Sequence, residues 1–284
     1  MAQLSLNVAS TIDGPSILGG ATKEFMSMAA GSFPSDPCNR KVILVLNQHD
    51  LEKCAYEVDA ARALLDEEAY VLRFPVGIQD HPPAALQNLL DAGLARSGGM
   101  LVQSPYDADT YEDALLASQR FALAKHMYFS NLCMLLGAKE VSVDQVEVRM
   151  RSSETTVDAG GKRHGVGAQV TAESKEKEKE KFQAQMNLRD EFEGGPPDVT
   201  AAERLLRRTG LWSDPNMRSL LEMRRDGSNQ LKARKLVLSL SSEAERNLNV
   251  VARLNVPTCL SISGEYKRVI HEQYDYLLTV LVRF

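Results

Sequence analysis

Hydrophobic and polar positions follow one grammar up to residue 137 and another beyond it. Between Lys41 and Gly137, short continuous apolar runs alternate with amphipathic stretches. VILVL (42–46) is a run of β-branched residues and leucine, the pattern of a strand buried on both faces. Asp50 then stands where a helix cap belongs, followed by Leu51, Ala55, Val58, Ala61 and Leu65 near the 3.6-residue period. YVLRF (70–74) predicts a second strand, and Pro82 and Pro83 open a helix with Leu86, Leu89 and Leu90 that ends near Gly93 or Gly98. MLVQS (100–104) predicts a third strand, after which Asp109 or Thr110 caps a long helix. This β-α-β-α-β-α order predicts a small parallel sheet with right-handed crossovers, a Rossmann- or flavodoxin-like module.

The long helix covers 114–136, ALLASQRFALAKHMYFSNLCMLL, close to membrane-spanning length. Arg120, Lys125 and His126 fall in its middle. A central Arg or Lys costs roughly 2.5–3.5 kcal/mol on insertion, more than this apolar content offsets. The segment therefore reads as a helix buried in protein, and a membrane partner is not expected.

After Gly137 the apolar positions come two apart. VSVDQVEVRM (141–150) alternates with a slip between Val143 and Val146 that predicts a β-bulge. Val166, Ala168, Val170 and Ala172 share a phase with Phe182, Ala184, Met186 and Leu188, across the charged run ESKEKEKEK (173–181). Preserved phase predicts a long hairpin arm with a solvated centre; a charged helix or loop between shorter strands is the competing reading. GGPPD (194–198) breaks the chain. Thr200 and Glu203 form a capping box for one helix, Ser213–Asp214–Pro215 starts another, and KLVLSL (235–240) is a strand. Ser242 and Glu245 form a second capping box, and TCLSISGEYKRVI (258–270) with YDYLLTVLVRF (274–284) predicts a hairpin. The expected organisation is an arm over 1–40, an α/β module over 41–137, and an antiparallel, hairpin-rich α+β domain over 138–284.

Composition adds exclusions. With 284 residues, 44% of them hydrophobic, the chain is neither collagen-like, disulfide-rich nor wholly disordered. A net charge of -5 argues against nucleic acid as a partner. Cys38, Cys54, Cys133 and Cys259 are too scattered for a disulfide framework or a metal site, so four free thiols are expected. The opening residues lack a basic start and an apolar core, and a cytoplasmic location is expected.

Candidate chemistry follows from the predicted sheet. Ligands of an open parallel sheet bind beyond the carboxyl ends of its strands. Those ends carry His49 and Asp50, then His81, then Ser104, Tyr106 and Asp107. Brought to one edge, they could hold a nucleotide or small anion, with a histidine as general base and Ser104 as nucleophile or polar contact. The first strand runs into NQHD and not GxGxxG, so no dinucleotide or other cofactor is assigned. HExxH and GxSxG are missing too, and no catalytic residue is assigned. A second candidate is the basic group Arg207, Arg208, Arg224 and Arg225, which could contact an anion; Glu203 and Glu222 nearby make a salt-bridged surface the plainer reading. The resulting expectation is a cytoplasmic, non-catalytic assembly or adaptor protein acting through homo-oligomer or protein-partner contacts. A ligand-sensing or enzymatic module at the strand ends is the alternative. A membrane-active hairpin is a third, weakened by Lys and Glu on both of its faces.

Overall fold

Among the described residues, two four-stranded sheets carry the fold, joined by a long central helix. The computed structural model describes residues 32–57, 61, 64–77, 81–152, 176–177, 179–186, 189–227, 231–254, 256, 260–262, 266 and 272–284. The first sheet contains β1 (Val42–Asn47), β2 (Ala69–Phe74), β3 (Gly99–Gln103) and β4 (Tyr111–Asp113), in the order β2-β1-β3-β4. As the apolar run requires, Val42 to Leu46 are buried on both faces. Ile43 and Val45 pack with Leu86 and Leu89 of helix α2 (Ala84–Asp91), while Val42, Leu44 and Leu46 face the larger core.

β1 and β2 are parallel, but β3 runs antiparallel to β1, with Val42 opposite Val102. The sheet is mixed, and only the β1-to-β2 unit keeps the predicted parallel arrangement. α2 has eight residues, about 12 Å of helix, short of a full return along the sheet. Left-handed Gly98 (φ 75°) then donates its N–H to the carbonyl of Val45, so the chain re-enters beside the end it has just left. An apolar run specifies burial and carries no direction. That is why alternation alone mistook this strand.

Helix α1 (Gln48–Tyr56) is capped by Asn47, whose side chain accepts from the Asp50 N–H; Asp50 lies in the first turn and is not the cap. Extended Glu57 ends α1 earlier than the apolar spacing predicts; Ala61 is buried as expected, but Leu64 is buried in place of Leu65, which is only half-buried. Val58 lies outside the described residues.

Helix α3 (Ala117–Leu135) is the predicted core helix. Neither Asp109 nor Thr110 caps it, because β4 intervenes and Asp109 pairs with Arg40 at 2.9 Å. Its end is closed fully. The Gly137 and Ala138 N–H groups bond back to Met134 and Cys133, with Gly137 left-handed (φ 78°), a Schellman arrangement. The remaining carbonyls of Leu135 and Leu136 accept from Asp198 N–H and Arg224 Nε.

The second sheet has β5 (Glu140–Ser152), β6 (Arg189–Glu191), β7 (Ala233–Ser239) and β8 (Glu272–Arg283), in the order β6-β5-β8-β7. All its pairings are antiparallel, and the expected bulge appears as a register shift between Val143 and Gln145. β8 sits between β5 and β7. The expected hairpin partner at 258–270 is described only at Leu260–Ile262, a bend, and at Tyr266; the rest lies outside the described residues. The described part of the charged run is helical at 176–177 and 179–185, not strand. Phe182 and Met186 are buried while Ala184 between them is exposed. Residues four apart share a phase in a strand and also a face of a helix, so the spacing did not discriminate. The hairpin turn and first arm expected over 156–172 lie outside the described residues.

Helix α4 (Val199–Arg208) is capped by Asp198, which displaces the predicted Thr200 box. Helix α5 (Pro215–Arg225) starts as predicted, with Asp214 accepting from the Asn216 and Met217 N–H groups. It lies along the outer edge of β7: Asn216 donates to the Val237 carbonyl and Arg234 to Ser219 Oγ, which shields the strand edge. Helix α6 (Glu245–Arg253) has no side-chain cap, because Ser242 is engaged elsewhere.

Candidate functional site

Reversal of β3 disperses the strand-end constellation. His49 and Asp50 follow β1, and His81 follows β2, at one end of the first sheet. Ser104, Tyr106 and Asp107 follow β3 and emerge at the other end, where the Gln103 N–H donates to the Lys41 carbonyl. The length of β1, about 17 Å, separates the two groups. His49 and His81 are exposed. Asp50 is fully buried and accepts from the backbone N–H and hydroxyl of Ser261, which ties the 260–262 bend to the end of β1. Ser104 Oγ accepts from the Tyr106 N–H, and Asp107 from the Asp109 N–H, as turn residues do. These side chains shape two separate turns and do not meet.

Three of the four arginines are used within the protein. Arg207 pairs with Glu203 at 2.8 Å and lies 4.2 Å from the Trp212 ring centre. Arg225 bridges Glu203 and Glu222. Arg224 is buried, donates to the carbonyls of Leu136 and Leu231, and lies against the Phe284 ring. Burial lowers its pKa from the ordinary arginine value. Arg208 is exposed in the last turn of α4. The cluster is predominantly a laced surface plus one structural cation.

A charged centre that sequence reasoning missed lies under the inner face of α3. Lys125 is completely buried, with Nζ 2.8 Å from Asp214 and 2.6 Å from Glu243, and it donates to Ser242 Oγ at 3.1 Å. Asp214 thus caps α5 with one oxygen and binds Lys125 with the other. A serine beside a lysine has the outline of a nucleophile and its base. Here Ser242 directs its own proton to Glu243 at 2.8 Å, and Lys125 is engaged by two carboxylates, so the group serves as a structural ion cluster. Tyr106 packs edge-on against Tyr128 close by, and its buried hydroxyl makes no hydrogen bond to the described residues. Burial, reinforced by Glu243, pushes that hydroxyl's pKa up. The available sequence signal was Lys125 itself, since an ammonium inside a buried helix must have partners.

The outer face of α3 is different. A groove of about 780 Å³ runs beside it, lined by Arg120, Leu123, His126, Met127, Ser130 and Asn131 of the helix. Gln185, Met186, Asp190 and Phe192 form the facing wall, and Glu112 closes one end. Ser130 donates to Asp190, which joins the wall to the helix. Burial raises the pKa of Glu112, an effect countered by the positive field of Arg120. Leu116, Met127 and Met134 are 47%, 64% and 46% exposed. With Arg120, Leu123 and Asn131 they fall on one stripe about 80° wide along α3. Methionine suits such a surface, because its unbranched side chain adapts to what it meets. Cys133 lies beneath, fully buried, with burial and Asp190 raising its thiol pKa; it is a packing residue. Among the described residues, Cys38 is exposed and free, Cys54 is buried, and no group of His, Cys, Asp or Glu is placed to hold a metal ion. No helix among them is long and apolar enough to cross a membrane.

Comparison with protein-family models, with curated proteins and with solved structures returns no match for this chain.

Proposed function

We propose that this is an interaction protein of the assembly or adaptor class, working through the groove on the outer face of α3. The observation that carries the reading is the stripe from Leu116 to Met134, apolar at four of six positions and exposed at the centre of an otherwise buried helix. Apolar side chains gathered on one helix face beside a groove are the features by which partner helices and peptides are received. Carboxylates and an arginine at the margin would orient the partner and reject mismatched ones. We take the location to be cytoplasmic, in keeping with free thiols at Cys38 and Cys133.

Photo-crosslinking in the native cell tests this. A photoreactive residue at Met127 should give discrete crosslinked protein species, whereas one at exposed Gln87 on α2 should give none of the same mass. Equal patterns from the two positions would remove the groove as a working surface.

A further inference from the structure

We infer that the occupant of the α3 groove is a second copy of this chain, docked with its own α3 antiparallel to the first across a two-fold axis at Met127. The inference rests on the interaction reading above and names the partner. A two-fold interface must be complementary to itself, so every attractive group needs its counterpart within the same patch. The groove meets that condition. It carries Arg120, which is exposed, together with Asp190 on its facing wall.

The helix geometry sets the register. Arg120 lies seven residues before Met127, about 10 Å along the axis, and Met134 lies the same distance after it. Ser130, which holds Asp190, lies about 4–5 Å past Met127. In an antiparallel pair centred on Met127, Arg120 comes level with Met134 of the second copy. From there its long side chain turns towards Asp190 of that copy, and the reciprocal contact forms by symmetry. Leu123 falls opposite Asn131, and the two Met127 side chains meet on the axis. The apolar positions 116, 123, 127 and 134 keep this face of α3 apolar, and in this register Met127 is the one that meets its own copy. A parallel pairing would instead set Arg120 against Arg120.

Light scattering on the full chain at about 100 µM should give twice its 31.4 kDa mass. Arg120→Glu alone and Asp190→Lys alone should each raise the dimer dissociation constant by about tenfold or more, because each places like charges together twice. Mixing the two variants should restore a heterodimer, since both contacts then become opposite-charge pairs. Asp190→Lys also loses the Ser130 hydrogen bond, so a second measurement covers the case in which it folds poorly. In a Cys38→Ser, Cys259→Ser background, Met127→Cys should form a disulfide-linked dimer on mild oxidation, and Gln87→Cys should not. A monomer under all these conditions overturns the inference while leaving a different partner open to crosslinking from Met127. A dimer indifferent to Arg120→Glu and uncrosslinked through position 127 overturns it too, and shows that copies associate by another face.

Discussion

The two faces of α3 carry opposite kinds of chemistry. Lys125 and Met127 are two residues apart, about 200° around the helix. Inward, Lys125 is sealed between Asp214, Glu243 and Ser242, every contact made within the chain. Outward, Met127 stands 64% exposed over a groove whose charged margin is only partly engaged. The inner face binds the two halves of the protein together: Asp214 begins α5, Glu243 precedes α6, and Tyr106 leaves β3. The outer face contributes little to that union. Residues that hold the fold have their partners already, and the outer stripe is what the fold leaves short.

Four measurements would break or sharpen this contrast. Lys125→Met keeps most of the buried volume and removes the cation, leaving two carboxylates with no compensating charge. It should cost about 3–5 kcal/mol in urea unfolding. A loss under about 1 kcal/mol would mean that water already reaches the cluster.

The next effect is smaller and pH-dependent. Hydrogen bonds from Lys41 and Arg253 hold the Glu68 carboxyl down to about 2 from an ordinary 4.5. Its folded pKa is below its unfolded one, so its contribution is complete above the ordinary value and drains away as pH falls from 4.5 towards 2. The wild type should exceed Glu68→Gln by about 1 kcal/mol at neutral pH, a figure reduced for partial exposure, and the gap should close in that acid window. A gap unchanged down to pH 2 would show that the carboxylate is not the source.

Tyr106→Phe removes a buried hydroxyl with no described hydrogen-bond partner. Stability should stay level or rise by up to about 1 kcal/mol. A loss of that size would place a bridging water between Tyr106 and the Lys125 cluster. Smallest of all on folding is Met127→Ala, within about 0.5 kcal/mol, since the side chain is mostly solvated. The same substitution should weaken association, and a variant that unfolds without losing association would invert the assignment of the two faces.

Much of this was legible in the residues. VILVL could only be a doubly buried strand, the helix expected over 114–136 forms over 117–135 with its inner face buried and its outer face exposed, and the slip between Val143 and Val146 marked the bulge. What stayed hidden was relational. Strand direction is absent from an apolar run, so β3 was expected parallel, and the supposed strand-end site came from that one orientation. The even phase at Phe182 and Met186 fitted a strand and a helix equally. Capping signals were real but misplaced by a few residues, with Asn47 serving in place of Asp50 and Asp198 in place of Thr200. Lys125 was read only for its cost in a bilayer, because the partners that explain it lie about 90 and 120 residues further along the chain.

The position of β8 bears on how the protein is made. β5 and β7 are never neighbours; each pairs along its inner edge with Glu272–Arg283, a segment synthesised after both. Until that segment leaves the ribosome, two strands wait with open inner edges, and Leu236 and Leu238 lack the strand that will lie beside them. The first sheet, by contrast, has all four strands available within some seventy residues, Val42 to Asp113. Synthesis therefore passes through a stage in which one sheet has all its strands to hand and the other is two separate edges, the stage at which a chaperone would find most to hold.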